Sequence, residues 1–468
     1  MNPLGYWMVQ GVSVLWDRQI IMKNIWRNIH LYLSLVAGLI FFLECLTGCL
    51  LVFEDEITEF VHHDRFYVDQ PQAERLPLNR LLPLIEKQLT NREKIANLTV
   101  FANTNKTIEV KLQKIQQEKG HGSSRETLAE NSTTHKTGEA KLQKIQQEKI
   151  QQENGYTAGQ ETRAQEIGDK ASHGEEARTE KLKGPRSPGG DIVYVDPYTG
   201  KLQRRVDPQA GNFFKTMLKL HQTLLLDTVG KTILGISTFI VLIILLTGIV
   251  LWWPKNVNIL KNRLKVKTSG SWKRINHDLH VVLGFYCSFF LLVFLVTSLP
   301  WSFKWANEAL YSMTGSKPPV RARVQLATSD GKVSLNAEEI LLLAQSELPD
   351  APYWRLTLPG GKRSDPVQVT SPNTQVLHRN GFDQIAIDPY LGKIVKIDRH
   401  ELSPGGWQLR RYMKPVHTGA IGGLPTKILA FVVCLISASF PVTGFVLWMN
   451  RTRKGKKKKK MNKLAVIA

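Results

Sequence analysis

The chain has 468 residues, of which 43% are hydrophobic, and a formal net charge of +22. Its apolar residues are concentrated in four stretches, each long enough to cross the roughly 30 Å hydrocarbon core of a bilayer as a helix, which excludes a soluble globular protein. Most of the excess positive charge lies beside these stretches, so it indicates contact with membrane lipid and excludes nucleic-acid binding. The stretches are residues 31–53, 233–253, 279–301 and 428–449.

The predicted elements follow one order twice: a span running outward, an outer module and a span running inward. This organisation predicts a membrane protein that is mainly α, with four transmembrane helices in two pseudo-repeats. In chain order the parts are an N-terminal segment (1–27), span 1 (28–54), outer module 1 (55–220), a helix end with span 2 (221–254), a basic loop (255–274), span 3 (275–301), outer module 2 (302–416), a helix end with span 4 (417–450) and a basic tail (451–468).

The basic residues predict the orientation of the chain. Residues 255–274 contain seven Lys or Arg and residues 451–463 contain nine, and neither segment contains an acidic residue. Because short loops rich in Lys and Arg stay on the cytoplasmic side, both termini and the central loop are predicted to be cytoplasmic. The outer modules then lie in the periplasm of a Gram-negative cell, and the protein is predicted to be a multi-pass protein of the inner membrane. All four cysteines lie within spans, which favours apolar packing over a disulfide framework.

The two outer segments share their order of elements. Each starts with an amphipathic helical pattern, at residues 78–89 in the first and 337–348 in the second. Each closes on a strand and a turn with the sequence Asp-Pro-Tyr-x-Gly-Lys, at residues 193–201 and 385–393, which is typical of a tight reversal between strands. Residues 111–185 are rich in Gln, Glu and Lys and poor in aromatic residues, so they are predicted to be a mostly disordered insertion. We therefore predict two small α+β modules of one type.

Four histidines at the ends of the spans fall into two sets by their spacing. A Thr follows His30 and His280 at one common interval, and a Thr-Gly follows His221 and His417 at a second, longer interval. His30 and His280 begin outward-running spans and are predicted near the cytoplasmic face. The other two lie ten residues before a lysine that marks the entry of an inward-running span, hence about 15 Å further out if the helix continues. Alternatively, Gly230 and Pro425 bend the approach and lower these two histidines.

Paired histidines of this kind predict metal cofactors at two depths. Two histidines from facing helices are usual ligands of a low-spin haem in a helical bundle, whereas zinc prefers a tighter cluster of three or four ligands. At any single position the alternative is an interfacial histidine that is hydrogen-bonded to backbone or to a lipid headgroup. His277, three residues before His280, is predicted to contact haem propionates together with Arg27, and His277 as the ligand instead of His280 is left open.

Two acidic features lie close to these positions. Glu44 follows His30 along the first span and lies in the middle of that span, where a charge is costly. It is either a protonated, hydrogen-bonded carboxyl or a proton or quinol site beside the inner cofactor. Four acidic residues and two histidines within residues 54–63 offer ligands for ferric iron or form a solvated linker.

These motifs resemble the PepSY-associated transmembrane family, which includes inner-membrane reductases of ferric siderophores. The resemblance covers nearly the whole chain except residues 111–185 and the tails, and the two Asp-Pro-Tyr-x-Gly-Lys turns look like PepSY signatures. The matching motifs are Arg-Asn-Ile-His at 27–30, Leu-Thr-Gly at 46–48, Leu-His at 220–221, Leu-Thr-Gly-Ile-Val-Leu-Trp-Trp-Pro at 246–254, Asp-Leu-His at 278–280, Leu-Gly-Phe-Tyr at 283–286, Val-His at 416–417 and Thr-Gly-Phe-Val-Leu-Trp at 443–448.

The resemblance implies two haem b groups, one on His30 and His280 and one on His221 and His417. It further implies reduction of a ferric siderophore or another ferric chelate in the periplasm, which aids iron release because hard oxygen ligands hold Fe(II) less well than Fe(III). The sequence contains no glycine-rich nucleotide motif and no flavin domain, so the electron donor is expected to be quinol or a cytoplasmic flavoprotein. The alternatives are a non-enzymatic PepSY membrane protein that senses or regulates peptidases and a component of an iron-complex permease.

Overall fold

A computed structural model describes residues 3–68, 74–114, 191–206, 213–254, 256–319, 326, 334–359, 365–376, 378 and 380–467, with side chains described only within residues 22–453. The predicted insertion lies outside the described residues from residue 115 onward. Its predicted start at residue 111 is wrong, because the strand Ile108–Lys114 continues through that position and pairs Lys111 with Ile192. The alternating apolar residues of this strand place Leu112 in the core, so the chain stays in the sheet past the predicted boundary.

Four helical segments in the described part of the chain are long and apolar enough to cross a membrane. Each contains nearly all of one of the predicted apolar stretches, which confirms a multi-pass membrane protein. The four segments are Met22–Val52, Asp227–Trp252, Trp272–Ser302 and Leu424–Arg453.

The first half of the described chain consists of helices α1 to α7 and strands β1 to β4. They are α1 Pro3–Val52, α2 Glu54–Val61, α3 His63–Phe66, α4 Leu78–Glu86, β1 Glu93–Phe101, β2 Ile108–Lys114, β3 Ile192–Val195, β4 Leu202–Val206, α5 Phe213–Thr223, α6 Asp227–Trp252 and α7 Val257–Arg263.

The second half has the same succession of long helix, sheet strands, short helix and long helix, with two irregular spans. The third span contains a π-helical turn, Leu279–Leu283, and the fourth is interrupted at Ser439. The elements are α8 Trp272–Asp278, α9 Gly284–Ser302, α10 Lys304–Ser312, α11 Ala337–Glu347, β5 Tyr353–Thr357, β6 Val367–Pro372, β7 Phe382–Asp388, β8 Lys393–Asp398, α12 Gly405–His417, α13 Leu424–Ala438 and α14 Phe440–Ile467.

The strands form one antiparallel sheet of eight in the order β4-β3-β2-β1-β5-β6-β7-β8. The two predicted modules are therefore joined edge to edge through β1 and β5, where Leu98 lies opposite Leu356. This pairing removes one exposed edge from each module, and exposed edges invite unwanted pairing with other chains. Residues of α4 and α11 share a single apolar core with residues from both halves of the sheet. At the N-terminus of α4, the Leu78 amide donates a hydrogen bond of 2.6 Å to Glu338 of α11.

The predicted helices and turns of the two modules are confirmed. Helices α4 and α11 begin at the predicted residues, and both turns reverse the chain between paired strands. In each turn an aspartate, Asp196 or Asp388, accepts a hydrogen bond of 2.8 Å from the tyrosine amide two residues on. The glycine that follows, Gly200 or Gly392, has a φ of 73° or 63°, a left-handed conformation that a side chain would disfavour.

Short helices connect the sheet to the second and fourth spans. Helix α5 ends at Thr223 and α6 begins at Asp227, with positive φ at Leu224, Leu225 and Asp227. Gly230 closes this corner, because a Cβ there would lie 1.6 Å from the Thr223 carbonyl oxygen. The helix therefore does not continue from His221 into the membrane, so the depth calculated for a continuous helix does not apply. The structure has the alternative, a bend at Gly230.

Candidate functional site

In the first half of the chain, each of two histidines is hydrogen-bonded to a threonine on another helix. Nδ1 of His221, on α5, lies 2.9 Å from Oγ1 of Thr47 on α1. Nδ1 of His30, on α1, lies 3.0 Å from Oγ1 of Thr247 on α6. Thr47 precedes the C-terminal end of α1 by five residues, or about 7.5 Å, so His221 lies beside the first span and not beyond its end.

The third and fourth spans repeat this arrangement. Nδ1 of His417, on α12, lies 3.1 Å from Oγ1 of Thr297 on α9, and Nδ1 of His280 lies 2.8 Å from Oγ1 of Thr443 on α14. We call His221, His417 and their two threonines the sheet-proximal layer, because each of the two histidines comes soon after a strand of the sheet, β4 or β8, in the chain. His30, His280 and their threonines are the sheet-distal layer. On α1, the helical rise from the histidine of one layer to the threonine of the other separates the layers by about 25 Å.

The hydrogen bonds fix which ring nitrogen carries the proton. Nδ1 of His30 and of His417 also lies 3.0 Å and 3.1 Å from a backbone carbonyl oxygen, which can only accept, so Nδ1 must be the donor. The Thr47 hydroxyl donates its own proton to the Leu43 carbonyl oxygen at 2.7 Å, and its oxygen is left to accept from His221. Nε2 of these imidazoles then carries a lone pair and makes no hydrogen bond to any described residue. A histidine oriented through Nδ1–H is the usual form of a metal ligand.

In the sheet-proximal layer the two histidines face each other. The ring centroids of His221 and His417 lie 6.3 Å apart. Two imidazoles that bind one metal ion at N–metal distances of about 2.0–2.1 Å have centroids roughly 6 Å apart, so this pair fits two axial ligands of one ion. In the sheet-distal layer His280 contacts the Phe440 ring at 5.8 Å, and the described residues show no direct contact between the rings of His30 and His280.

Glycines make room beside three of the four imidazoles. Gly248 and Gly444 follow the distal threonines, and a Cβ on either would lie 3.2 Å or 3.3 Å from Cε1 of His30 or His280. Gly48 is less confined, with a distance of 3.6 Å to the proximal imidazole of the first half. The Thr-Gly pairs thus combine a hydrogen-bond acceptor with space for the ring that it orients.

Glu44 lies at the sheet-proximal layer. Its Oε2 is 3.6 Å from Nδ1 of His221, and its Oε1 is buried with no hydrogen-bond partner among the described residues. The hypothesis of a site beside the inner cofactor is therefore wrong in its location, because Glu44 precedes Thr47 by less than one helical turn. The corresponding position beside His417 is Phe294, whose ring centroid lies 6.0 Å from the imidazole centroid.

The alternative ligand His277 is held differently from the four histidines. Its Nδ1 lies 3.1 Å from a carboxylate oxygen of its neighbour Asp278, and about half of its side chain is exposed. Only His280 has the threonine contact found at the other positions, which favours His280 as the ligand. Arg27, on α1 below His30, has a buried Nε without a hydrogen-bond partner in the described part of the chain. This orphaned donor suits an anionic group such as a propionate.

The acidic residues after the first span are engaged elsewhere. Glu56 forms a salt bridge of 2.7 Å with Lys427 at the start of α13, and Glu59 one of 2.9 Å with Lys106. Burial, and then the neighbouring aspartate, raises the pKa of Glu54. These salt bridges favour the linker interpretation, and ferric iron ligation by this segment stays a prediction.

The cysteines pack within the membrane segments as predicted. Cys287 is buried beside Leu291 and Val433, and the Sγ of Cys49 donates a hydrogen bond of 3.5 Å to the Phe431 carbonyl oxygen. All four thiols are free.

The threonines were not identified from the sequence as the partners of the histidines, although their equal offsets were the available signal. Two further features carried no recognisable signal. One is the contact of Trp301 with His417, whose ring centroids lie 5.4 Å apart. The other is a buried polar network around His378 and His400 in the second half of the sheet.

The fold and site define a four-span membrane protein with an antiparallel sheet region, in which antiparallel helix pairs hold histidines at two levels. The chain belongs to the PepSY-associated TM region family, which matches residues 27–451 and so includes all four histidines. This match confirms the family predicted from the motifs. No curated protein matches the chain.

Proposed function

We propose that this protein is a haem-containing reductase of the inner membrane that passes electrons across the bilayer to a ferric siderophore or another ferric chelate. The observation that carries the proposal is the set of four imidazoles, each held at Nδ1 by a threonine and each with an unused Nε2. Hydrogen-bonded surface histidines need no such common geometry, whereas axial ligands require it.

The residues present fit two b-type haems. His221 and His417 would hold one group in the sheet-proximal layer, and the separation and tautomer of their rings suit two axial ligands. His30 and His280 would hold the second in the sheet-distal layer, where Arg27 offers a buried donor to a propionate. When bound, each haem supplies an iron centre that accepts and releases one electron.

The arrangement of the chain suits transfer across a membrane. Two haems, one in each layer, would split the distance that an electron travels across the bilayer into shorter steps. The apolar helices between the layers would exclude water from this path. The Lys- and Arg-rich loop and tail support an orientation with the sheet-distal layer and both termini on the cytoplasmic side and the sheet in the periplasm. In this interpretation the two helix pairs are pseudo-repeats, and quinol or a cytoplasmic flavoprotein supplies electrons at the sheet-distal layer.

At the periplasmic end the protein would bind an iron chelate close to the sheet-proximal layer. One electron converts Fe(III) to Fe(II), for which hydroxamate, catecholate and carboxylate oxygens are weaker ligands. Chelate binding and release then decide which complexes are reduced.

The decisive experiment is an absorption spectrum with haem stoichiometry on the detergent-purified full-length protein. We expect two low-spin haems per chain, reducible by dithionite and reoxidised by ferric chelates. His221→Ala and His417→Ala should each leave one haem, and the residual spectrum should be the same in both variants. His277→Ala is the matched control and should retain two haems.

Two results would contradict the proposal. Protein that binds no haem on reconstitution would favour the non-enzymatic PepSY interpretation. Loss of both haems, or of neither, in the single variants would show that the layers do not pair the histidines as proposed.

A further inference from the structure

The sheet-proximal layer has different surroundings on its two sides. Beside His417, the partly exposed Trp301 contacts the imidazole, and the Arg410 guanidinium lies 5.2 Å from the centroid of the Trp301 ring. Counted from the matching histidines, the corresponding positions in the first half are Leu51 and Phe214. An aromatic ring with a cation next to the layer therefore exists on the second side alone, among the residues that the structure describes.

Arg410 is held in place but retains free donors. Its Nε donates a hydrogen bond of 3.1 Å to Oδ1 of Asn307 on α10, which together with the indole fixes the plane of the guanidinium. Its two terminal nitrogens make no hydrogen bond to the described residues. The adjacent Arg411 differs, since its Nη1 contacts the Phe382 carbonyl oxygen at 3.2 Å and Nδ1 of His400 at 2.8 Å. The hydrogen bonds of Arg411 thus connect α12 to the sheet region, whereas the terminal nitrogens of Arg410 can bind a ligand.

The helices around this pair carry a positive charge. Helix α10, which contacts Arg410, adds one cation and one anion, Lys304 and Glu308, in a salt bridge of 3.7 Å. Helix α12 contains Arg410, Arg411 and Lys414 and no acidic residue, and α5 contains two lysines and no acidic residue. On the first side of the layer, by contrast, Glu44 lies beside His221. The cations of α12 beside the indole therefore favour an anion on this side of the layer.

We propose that Trp301 and Arg410 form a docking site for an anionic, carboxylate-bearing ferric chelate. The forked donors of arginine match a carboxylate, and the indole offers a flat apolar surface to the body of the chelate. The site lies against the ring of His417, so a bound chelate is brought next to the sheet-proximal layer. This inference rests on the proposed function for its physiological meaning. Carboxylate chemistry also describes a haem propionate, and the experiment separates these two sources.

The test uses the full-length protein and gallium(III) citrate, a redox-inert probe for ferric citrate, so binding is measured without turnover. We expect Arg410→Gln to weaken binding of the gallium complex about tenfold, as the loss of one charged contact implies, and Arg410→Lys to weaken it less. Lys219→Gln, which removes an exposed cation from α5 on the other side of the layer, is the matched control and should change binding less than about twofold.

The haem spectrum distinguishes the outcomes. If Arg410→Gln weakens gallium citrate binding and leaves the haem content and spectrum unchanged, the docking site stands. Equal effects of Arg410→Gln and Lys219→Gln, or no effect of either, overturn it, and so does a loss or spectral shift of haem in Arg410→Gln, which assigns the arginine to a propionate. Binding of gallium citrate through Arg410 by protein without haem would overturn the reductase and retain the docking site.

Discussion

The two helix pairs hold their sheet-proximal histidines alike and surround them differently. In both pairs the imidazole is bound at Nδ1 by a threonine from the preceding span. The position three residues before that threonine is Glu44 in the first pair and Phe294 in the second. One histidine therefore has a carboxylate beside it, whereas the other is packed among aromatic rings.

This difference distinguishes two parts of the site. The threonines orient the imidazoles, and residues such as Glu44 and Phe294 set the environment of each ring. Threonine recurs at all four imidazoles and supplies an acceptor, and glycine recurs at three of them and supplies space. Under the proposed function, the neighbours vary because the substrate approaches one side of the layer only. The acceptors are alike in the two pairs, since Nδ1 of His417 also contacts the Phe294 carbonyl oxygen at 3.1 Å, and His221 has a backbone hydrogen bond to the carbonyl of Glu44 at the matching position.

The largest effect that tests this comparison is expected from the threonines. Thr47→Val and Thr297→Val each remove the hydroxyl acceptor of one imidazole and leave it the backbone carbonyl of Glu44 or Phe294. Loss of such an outer contact typically weakens metal affinity by about 10–100-fold. We expect haem affinity of the sheet-proximal layer to fall by about tenfold in each variant, because the two pairs hold their histidines alike, measured by transfer of haem to an apo-globin acceptor.

Clearly unequal losses in the two valine variants would contradict the equivalence of the two histidine contacts. Thr58→Val, outside the four histidine contacts, controls for the general effect of a threonine substitution on expression and folding.

A smaller effect is expected from the glycines, which compare the two layers. The Cβ of Gly248→Ala or Gly444→Ala would lie 3.2 Å or 3.3 Å from an imidazole carbon, closer than ordinary van der Waals contact, while that of Gly48→Ala would lie at 3.6 Å. We expect the two distal variants to tilt their rings and shift the haem spectrum and midpoint potential. Gly48→Ala should leave both within error, and an equal shift in all three variants would contradict the distances.

Much of the fold could be predicted because it depends on local patterns. Apolar length defines the four spans, and the Asp-Pro-Tyr-x-Gly-Lys motif defines both turns through one aspartate acceptor and one left-handed glycine. The joining of two modules into one sheet could not be predicted, since the pairing of β1 with β5 connects strands from opposite halves of the chain. No local pattern encodes which edges meet.

The site was predictable as a set of residues but not as a set of contacts. Equal spacing identified the four histidines, and Gly230 indicated a possible bend beside His221. The break at Leu224 and Leu225 could not be predicted, because a positive φ is unusual for leucine. This break brings His221 next to Glu44, which the sequence assigned to the other layer. The neighbours of His417 depend on how α9 packs against α12, which single-sequence periodicity does not reveal.

The smallest expected effect extends the comparison to the two halves of the sheet. In the second half, burial and then nearby positive charge lower the pKa of His400, and burial, then His400 and Arg411, lower that of His378. Both rings pack near Tyr412 of α12, and His400 accepts a hydrogen bond from Arg411 while Asp383 and Glu401 lie close by. A histidine whose folded pKa is depressed stabilises the fold above its ordinary pKa of about 6.5, and that contribution is lost as the pH falls toward the folded value.

Lowering the pH from 7.5 to 5.5 should therefore speed hydrogen exchange in β7 and α12 more than in β3, after correction for intrinsic rates. His400→Gln, which keeps an acceptor for Arg411 but does not titrate, should reduce this difference, and identical acid sensitivity of wild type and variant would assign the effect to other groups.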